Sequence, residues 1–169
     1  MAVTGYKFPG TAASVDRDSK GAWTNPDNAK ADDTSYALCG FIDKNNYSDW
    51  LRLTNFGFTS SDIPDGATIN GIEFIVCRHA NVSNAINDSA IYLYDDGAVG
   101  NNLASATYYP YNTPTEATYG GATNMCGTSL TQADIVATTF GIQLSSAIGN
   151  TANMTAYVDY IKIRVYYTE

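Results

Sequence analysis

Histidine occurs once in this chain, glutamate three times, and lysine and arginine together nine times, against 17 acidic residues. Each shortage removes a class of function. The formal net charge is −8 and the isoelectric point lies near 4.4. Such a chain repels a phosphate backbone, whose affinity for proteins comes mainly from clustered Lys and Arg releasing counterions. The basic residues stand singly (Lys7, Arg17, Lys20, Lys30, Lys44, Arg52, Arg78, Lys162, Arg164), so no basic stripe overrides the net sign and no nucleic-acid partner is expected. An acidic surface suits a basic protein partner instead. No run approaches the ~20 apolar residues of a membrane helix, and residues 1–10 lack a basic segment followed by an apolar one, so neither a membrane span nor a standard secretion signal is expected. Three cysteines, Cys39, Cys77 and Cys126, cannot all pair internally, and their spacing is no zinc pattern. They read as reduced, mostly buried thiols.

Scarcity also limits catalysis. A Ser-His-Asp or Cys-His site must use His79, which follows Cys77 and Arg78 at the end of a strand with no third group to orient it. Glu73 and Asp159 are the only acids within strongly patterned strands, and Glu73 alternates with apolar neighbours as a solvated side chain does. The expectation is a chain without a catalytic or cofactor site. Asp95-Asp96-Gly97, and Asp62 with Asp65, have the oxygens that a structural calcium ion uses, but no EF-hand spacing; acidic turns without metal are the plainer reading, and no metal ligand is assigned.

What the chain has is strand and turn chemistry. It carries 13 Tyr and 14 Gly in 44% hydrophobic residues, and its acids are mostly Asp, a turn residue, rather than the helix former Glu. Residues 1–22 are small, polar and weakly patterned, which predicts an extended arm; residues 23–169 read as one domain. Trp23 anchors the end of the arm before an Asn25-Pro26 turn. Strands are predicted over 36–42, over 50–56 with Leu51 and Leu53 on one face, around Ile72, Phe74 and Val76, and over 90–94. The loop 95–102 follows as a hairpin or a sheet crossing, then weaker strand candidates over 104–109 and 115–119, which Pro110 and Pro114 confine to edges or loops. Residues 130–135 predict the only helical turn, with Thr131 as N-cap and Asp134 in the capping-box position. The run 138–144 alternates and Gly149-Asn150 turns it into a final strand over 157–167, which predicts a hairpin. Within that last strand Val158 and Ile161 fall in opposite phases, which implies a bulge near Asp159-Tyr160. About eight short strands and almost no helix predict an all-β fold: a two-sheet antiparallel β-sandwich, jelly-roll-like, with an extended N-terminal arm.

Four segments then form a set: Trp23 to Ala29, Leu53 to Phe58, Ile63 to Glu73 (Ile-Pro-Asp-Gly-Ala-Thr-Ile-Asn-Gly-Ile-Glu) and Val158 to Ile163. They resemble β-sandwich modules of tailed-bacteriophage virion proteins, also found in bacterial surface proteins. Such modules often carry a Trp-Gly pair where this chain has Cys126-Gly127. The resemblance implies a non-enzymatic virion structural protein, a capsid decoration or cement protein assembled in the host cytoplasm. It also implies a homo-oligomer such as a trimer, bound to the major capsid protein or another virion protein, with the arm reaching a neighbour. The alternative is a carbohydrate-binding or adhesin module of a tail fibre or cell surface. Interface candidates are Tyr108, Tyr109, Tyr111 and Tyr119 around the Pro-interrupted loop, with Lys7 and Phe8 of the arm; the tyrosines serve either as contact surface or as packing over the open end.

Overall fold

The computed structural model describes residues 1–18, 20–41, 46–149 and 153–169. In chain order the strands are β1 (Ala2–Val3), β2 (Thr11–Val15), β3 (Ala37–Phe41), β4 (Trp50–Thr54), β5 (Thr68–Ala80), β6 (Ile86–Tyr94), β7 (Ala98–Val99), β8 (Thr115–Gly120), β9 (Gly141–Ile148) and β10 (Met154–Thr168). A 3-10 turn covers Pro26–Ala29, and a short helix, α1, the only α-helix among the described residues, covers Gln132–Val136. Among the described residues no helix is long and apolar enough to cross a membrane.

Two antiparallel five-stranded sheets result. In the first the order is β1-β10-β5-β8, with β3 pairing the N-terminal half of β10; in the second it is β2-β4-β9-β6-β7. From β3 to β6 each strand lies in the sheet opposite its predecessor, and the same is true from β8 to β10. That alternation is the jelly-roll feature of this sandwich. Period-two burial along β4 and along β10 after its bulge gives those strands one apolar face to bury against the opposing sheet. Ile72, Phe74 and Val76 of β5 and Ile161, Ile163 and Val165 of β10 are fully buried, as are Leu51, Leu53, Ile91, Leu93, Ile142 and Leu144 from the other sheet.

The bulge is where the phase change placed it. The β10–β5 register shifts between Val158 and Tyr160, so Ala156 and Val158 before it, and Ile161, Ile163 and Val165 after it, all face the core. Helix α1 has the expected capping box: the Asp134 amide donates to the Thr131 hydroxyl, and the Thr131 amide donates to the Asp134 carboxylate. Trp23 is buried and its Nε1 donates to the Asp49 carbonyl at 2.9 Å.

Two expectations need correction. Strands β9 and β10 form no hairpin, because β9 pairs with β4 and β6 in the second sheet while β10 pairs with β5 in the first. Asn150 of the proposed turn, like Ile42 at the end of the predicted 36–42 strand, lies outside the described residues. Residues 104–109 form no strand; the segment runs beside β6, with the Leu103 and Tyr109 amides donating to the Ile91 and Ile86 carbonyls. The first residues lie on the sandwich itself: β1 pairs with β10, Lys7 bridges to Ile163, and β2 pairs with the edge of β4. One stretch of chain thus supplies an edge strand to each sheet, and its ordering is met by ladder hydrogen bonds within the molecule.

Candidate functional site

The four candidate tyrosines separate. Tyr108 and Tyr111 are exposed, whereas Tyr109 and Tyr119 are buried. The reason is a polar cluster between the sheets. Arg78 on β5 pairs with Asp88 on β6, and both side chains are almost wholly removed from solvent. The hydroxyl of Tyr119 donates to Asp88 at 2.7 Å, and Tyr109 donates to it at 3.0 Å while lying 2.8 Å from the Ser146 hydroxyl. Arg78 also donates to Tyr119 and rests over the Tyr109 ring at 4.3 Å. Burial raises the pKa of both phenols. This is a cross-sheet clamp, and Tyr109 and Tyr119 are corrected from surface candidates to members of it. Of the arm candidates, Lys7 forms an ion pair with Asp62 at 3.0 Å, and Phe8 is partly exposed with its ring edge on Tyr160.

Enzyme chemistry at the residues first considered finds no geometry. His79 stacks on Tyr157, with ring centroids 4.5 Å apart, and burial lowers its pKa. Burial pushes the Cys77 thiol up to about 11, away from a thiolate nucleophile. Glu73 is opposite Arg164, five residues along β10 from Asp159. At about 3.3 Å per residue that is roughly 16 Å, beyond the ~5 to 9.5 Å that paired glycosidase carboxylates need. The acidic turns are likewise engaged within the chain. Asp62 accepts from Thr59 and Lys7, Asp65 from Gln132, and Asp95 from Thr139. Among the described residues no group of three or more His, Cys, Asp or Glu is placed to hold a metal ion. An open cleft of about 420 Å³ beside residues 125–131 is lined by Ala67, Thr68, Ile69, Met125 and Leu130, among other uncharged residues, so it offers no acid or base.

The outer faces of the sheets differ. On the first sheet the charges are neutralised in place. Glu73 accepts from Arg164 at 2.7 Å, from Tyr166 at 3.2 Å and from Tyr6. Glu116 accepts from Lys162 at 2.7 Å and Tyr160 at 2.6 Å.

The outer face of the second sheet is built otherwise. Because Leu51 and Leu53 of β4 and Ile91 and Leu93 of β6 point inward, Trp50 and Arg52, and Tyr92 and Tyr94, are turned outward. Strand β9 lies between them, in a register that places Gln143 opposite both Arg52 and Tyr92. Arg52 donates through Nε and a terminal nitrogen to Gln143 Oε1 at 3.3 and 3.1 Å, and its guanidinium lies over the Tyr94 ring at 4.2 Å. Trp50 meets Tyr92 edge to face at 6.2 Å. At the β2 end, Arg17 lies against the rings of Tyr47 and Trp50 at 4.3 and 4.5 Å and donates to the Ser89 hydroxyl at 3.0 Å. Lys20 rests over Tyr47 at 5.2 Å, and the Tyr47 hydroxyl donates to Asp18, which raises its pKa. Trp50, Arg52, Tyr92 and Tyr94 on the strands, with Tyr47 and Arg17 beside them, thus gather four aromatic rings and two guanidinium groups on one face, all half-buried.

Sequence reasoning did not select this face, although a signal was present. The polar phase of two amphipathic strands is occupied by Trp50, Tyr92 and Tyr94, where solvated residues are the usual choice.

No family model matches the chain, and no curated protein does. Among solved structures it is similar to a "xylan-binding module CBM15", at 11% identity and a TM-score of 0.41, covering 97% of this chain and 96% of that one. It is also similar to the N-terminal cellulose-binding domain from Cellulomonas fimi beta-1,4-glucanase C, at 11% identity and a TM-score of 0.38, covering 98% of this chain and 88% of that one. Likeness at this level adds nothing to the strand order, and the sandwich stands on its own pairing.

Proposed function

We propose that this chain is a non-catalytic carbohydrate-binding module, and that the sugar lies across the outer face of the second sheet. The observation that carries the reading is the row Trp50, Arg52, Gln143, Tyr92 and Tyr94, held on three adjacent strands. Pyranose rings present C–H faces that pack on indole and phenol rings, while their hydroxyls accept hydrogen bonds of the kind the guanidinium groups donate; Gln143, which is buried, holds Arg52 in place from beneath. Placing these groups on strands rather than on a loop means that little side-chain or backbone entropy is lost on binding. Two of the similar structures bear sugar-binding names, but the reading rests on the side chains of this chain. Its test is affinity electrophoresis against a panel of soluble plant and bacterial polysaccharides, with Trp50→Ala and Tyr92→Ala beside the wild type. Retarded migration in at least one polysaccharide, weakened about tenfold or more by either substitution, is the expected result. Unretarded migration throughout, or retardation that ignores both substitutions, would remove the face from the account.

A second reading, attachment to a virion or other protein surface as a homo-oligomer, is favoured by Phe8, Tyr108 and Tyr111, which are 40%, 49% and 56% exposed. In it the first residues would act from the sheet edges they occupy, since reaching a neighbour requires them to leave both sheets. Sedimentation velocity tests the oligomer: a trimer supports this reading, and a monomer at all concentrations counts against it.

A further inference from the structure

We infer that the saccharide this face accepts is acidic, with Arg17 and Arg52 as its anion contacts; the inference rests on the carbohydrate reading above. Eight of the nine basic side chains fall among the described residues, Lys44 being outside them. Five of the eight pair with carboxylates: Lys7, Lys30, Arg78, Lys162 and Arg164. The three that form no ion pair among the described residues are Arg17, Lys20 and Arg52, and all three lie on this face. In a chain of net charge −8, three cations outside those ion pairs gather on one face, beside rings rather than in contact with the bordering Asp18 and Asp49 carboxylates.

The geometry leaves those cations usable. A guanidinium that stacks on a ring turns its plane to the ring and its N–H edge outward, and it carries five N–H donors. Among the described residues Arg17 gives one side-chain donor to Ser89 and Arg52 gives two to Gln143, fewer than the five each carries. The carboxylates at the border are occupied by other donors. Asp49 accepts from the Arg17 and Lys20 amides, and Asp18 accepts from the Tyr47 hydroxyl. A planar carboxylate matches the free edge of a guanidinium in a paired hydrogen bond, which a neutral hydroxyl cannot reproduce. A hexuronate chain combines that group with the C–H faces that the neighbouring rings accept. Sulfate esters share the anion chemistry, so the test separates the two sources.

The experiment is isothermal titration at 0.15 M salt, where the Debye length of about 8 Å screens the overall repulsion between an acidic protein and an acidic polymer. The probes are polygalacturonate oligomers, the same oligomers after carboxyl reduction, and dextran sulfate against dextran. Binding of either anionic probe at least tenfold tighter than its neutral counterpart, with the preference lost in Arg17→Gln/Arg52→Gln, is the expected result. The variant's sheet circular dichroism is the control for folding. Equal affinity for anionic and neutral probes, or a preference that survives both substitutions, overturns the acidic inference and leaves the carbohydrate reading standing. Failure of wild type to bind any probe here or any polysaccharide of the wider panel overturns both.

Discussion

Replacing Asp88 by alanine is expected to destabilise the protein more than any exposed substitution. The Asp88 side chain has no exposure, and it accepts from Arg78, from the hydroxyls of Tyr109 and Tyr119, and from the Ser105 amide at 2.9 Å. Its loss leaves the Arg78 guanidinium, 3% exposed, as a charge without a counter-ion between two sheets. Breaking a buried pair in this way costs about 3–5 kcal/mol, a large fraction of the ~5–15 kcal/mol that holds a typical domain folded. The double variant Arg78→Met/Asp88→Asn removes both charges, keeps similar volume, and retains an acceptor for the two phenols. It should lose less stability than Asp88→Ala alone, because no charge is stranded. Completing the cycle with Arg78→Met and Asp88→Asn should give a coupling of about 2 kcal/mol or more, as residues in one network do. Guanidinium denaturation followed by tryptophan fluorescence measures the wild type and all four variants. A loss below about 1 kcal/mol in Asp88→Ala, or additive single effects, would refute the claim that this clamp joins the sheets.

Further outcomes follow from other positions. His79 is the only histidine, so one imidazole signal reports it; because burial lowers its folded pKa, the NMR titration midpoint should fall below the ~6.5 of a free imidazole. Its contribution to stability is then full above pH ~6.5 and is lost as pH falls through the folded pKa, so His79→Gln should flatten the melting temperature against pH in that window, and an unchanged slope would count against it. A Cβ added at Gly141 would meet the Leu53 carbonyl at 1.9 Å, so Gly141→Ala must push β4 from β9; a melting temperature within a degree of wild type would show that the strands part easily. Deleting residues 1–16 removes β1 and β2 together with the hydrogen bonds from the Val165 amide to Thr4 and from the Trp23 amide to Ser14. Calorimetry should show a drop of about 4–8 °C, corresponding to roughly 2 kcal/mol at about 2–4 °C per kcal/mol for a domain of this size; an unchanged melting temperature would mean that the segment contributes nothing to the sandwich.

Much of the architecture was legible because it is local. Alternation at Leu51 and Leu53 placed β4, the phase change between Val158 and Ile161 placed the bulge, and Thr131 with Asp134 placed the helix cap. Strand pairing was not local. Gly149-Asn150 looks like a hairpin turn, yet the partners of β9 are Leu51 to Thr54 and Ile86 to Tyr94, tens of residues upstream. Register over such separations is set by which apolar faces meet across the sandwich, and no short motif encodes it. The same gap hid the candidate site. Trp50 and Tyr92 become neighbours only because β9 inserts between their strands, while Tyr109 and Tyr119, which seemed suited to a surface cluster, are drawn inward by Asp88, whose partners cannot be read from its own neighbourhood.

Amide chemical-shift mapping during titration with an oligosaccharide selected from the polysaccharide panel tests the account most directly. It predicts perturbations concentrated at Arg17, Tyr47, residues 50–54, residues 89–94 and residues 141–145, with the indole N–H of Trp50 among the largest. Perturbations confined to the loop around Tyr108 and Tyr111, or to the outer strands of the first sheet, would contradict it.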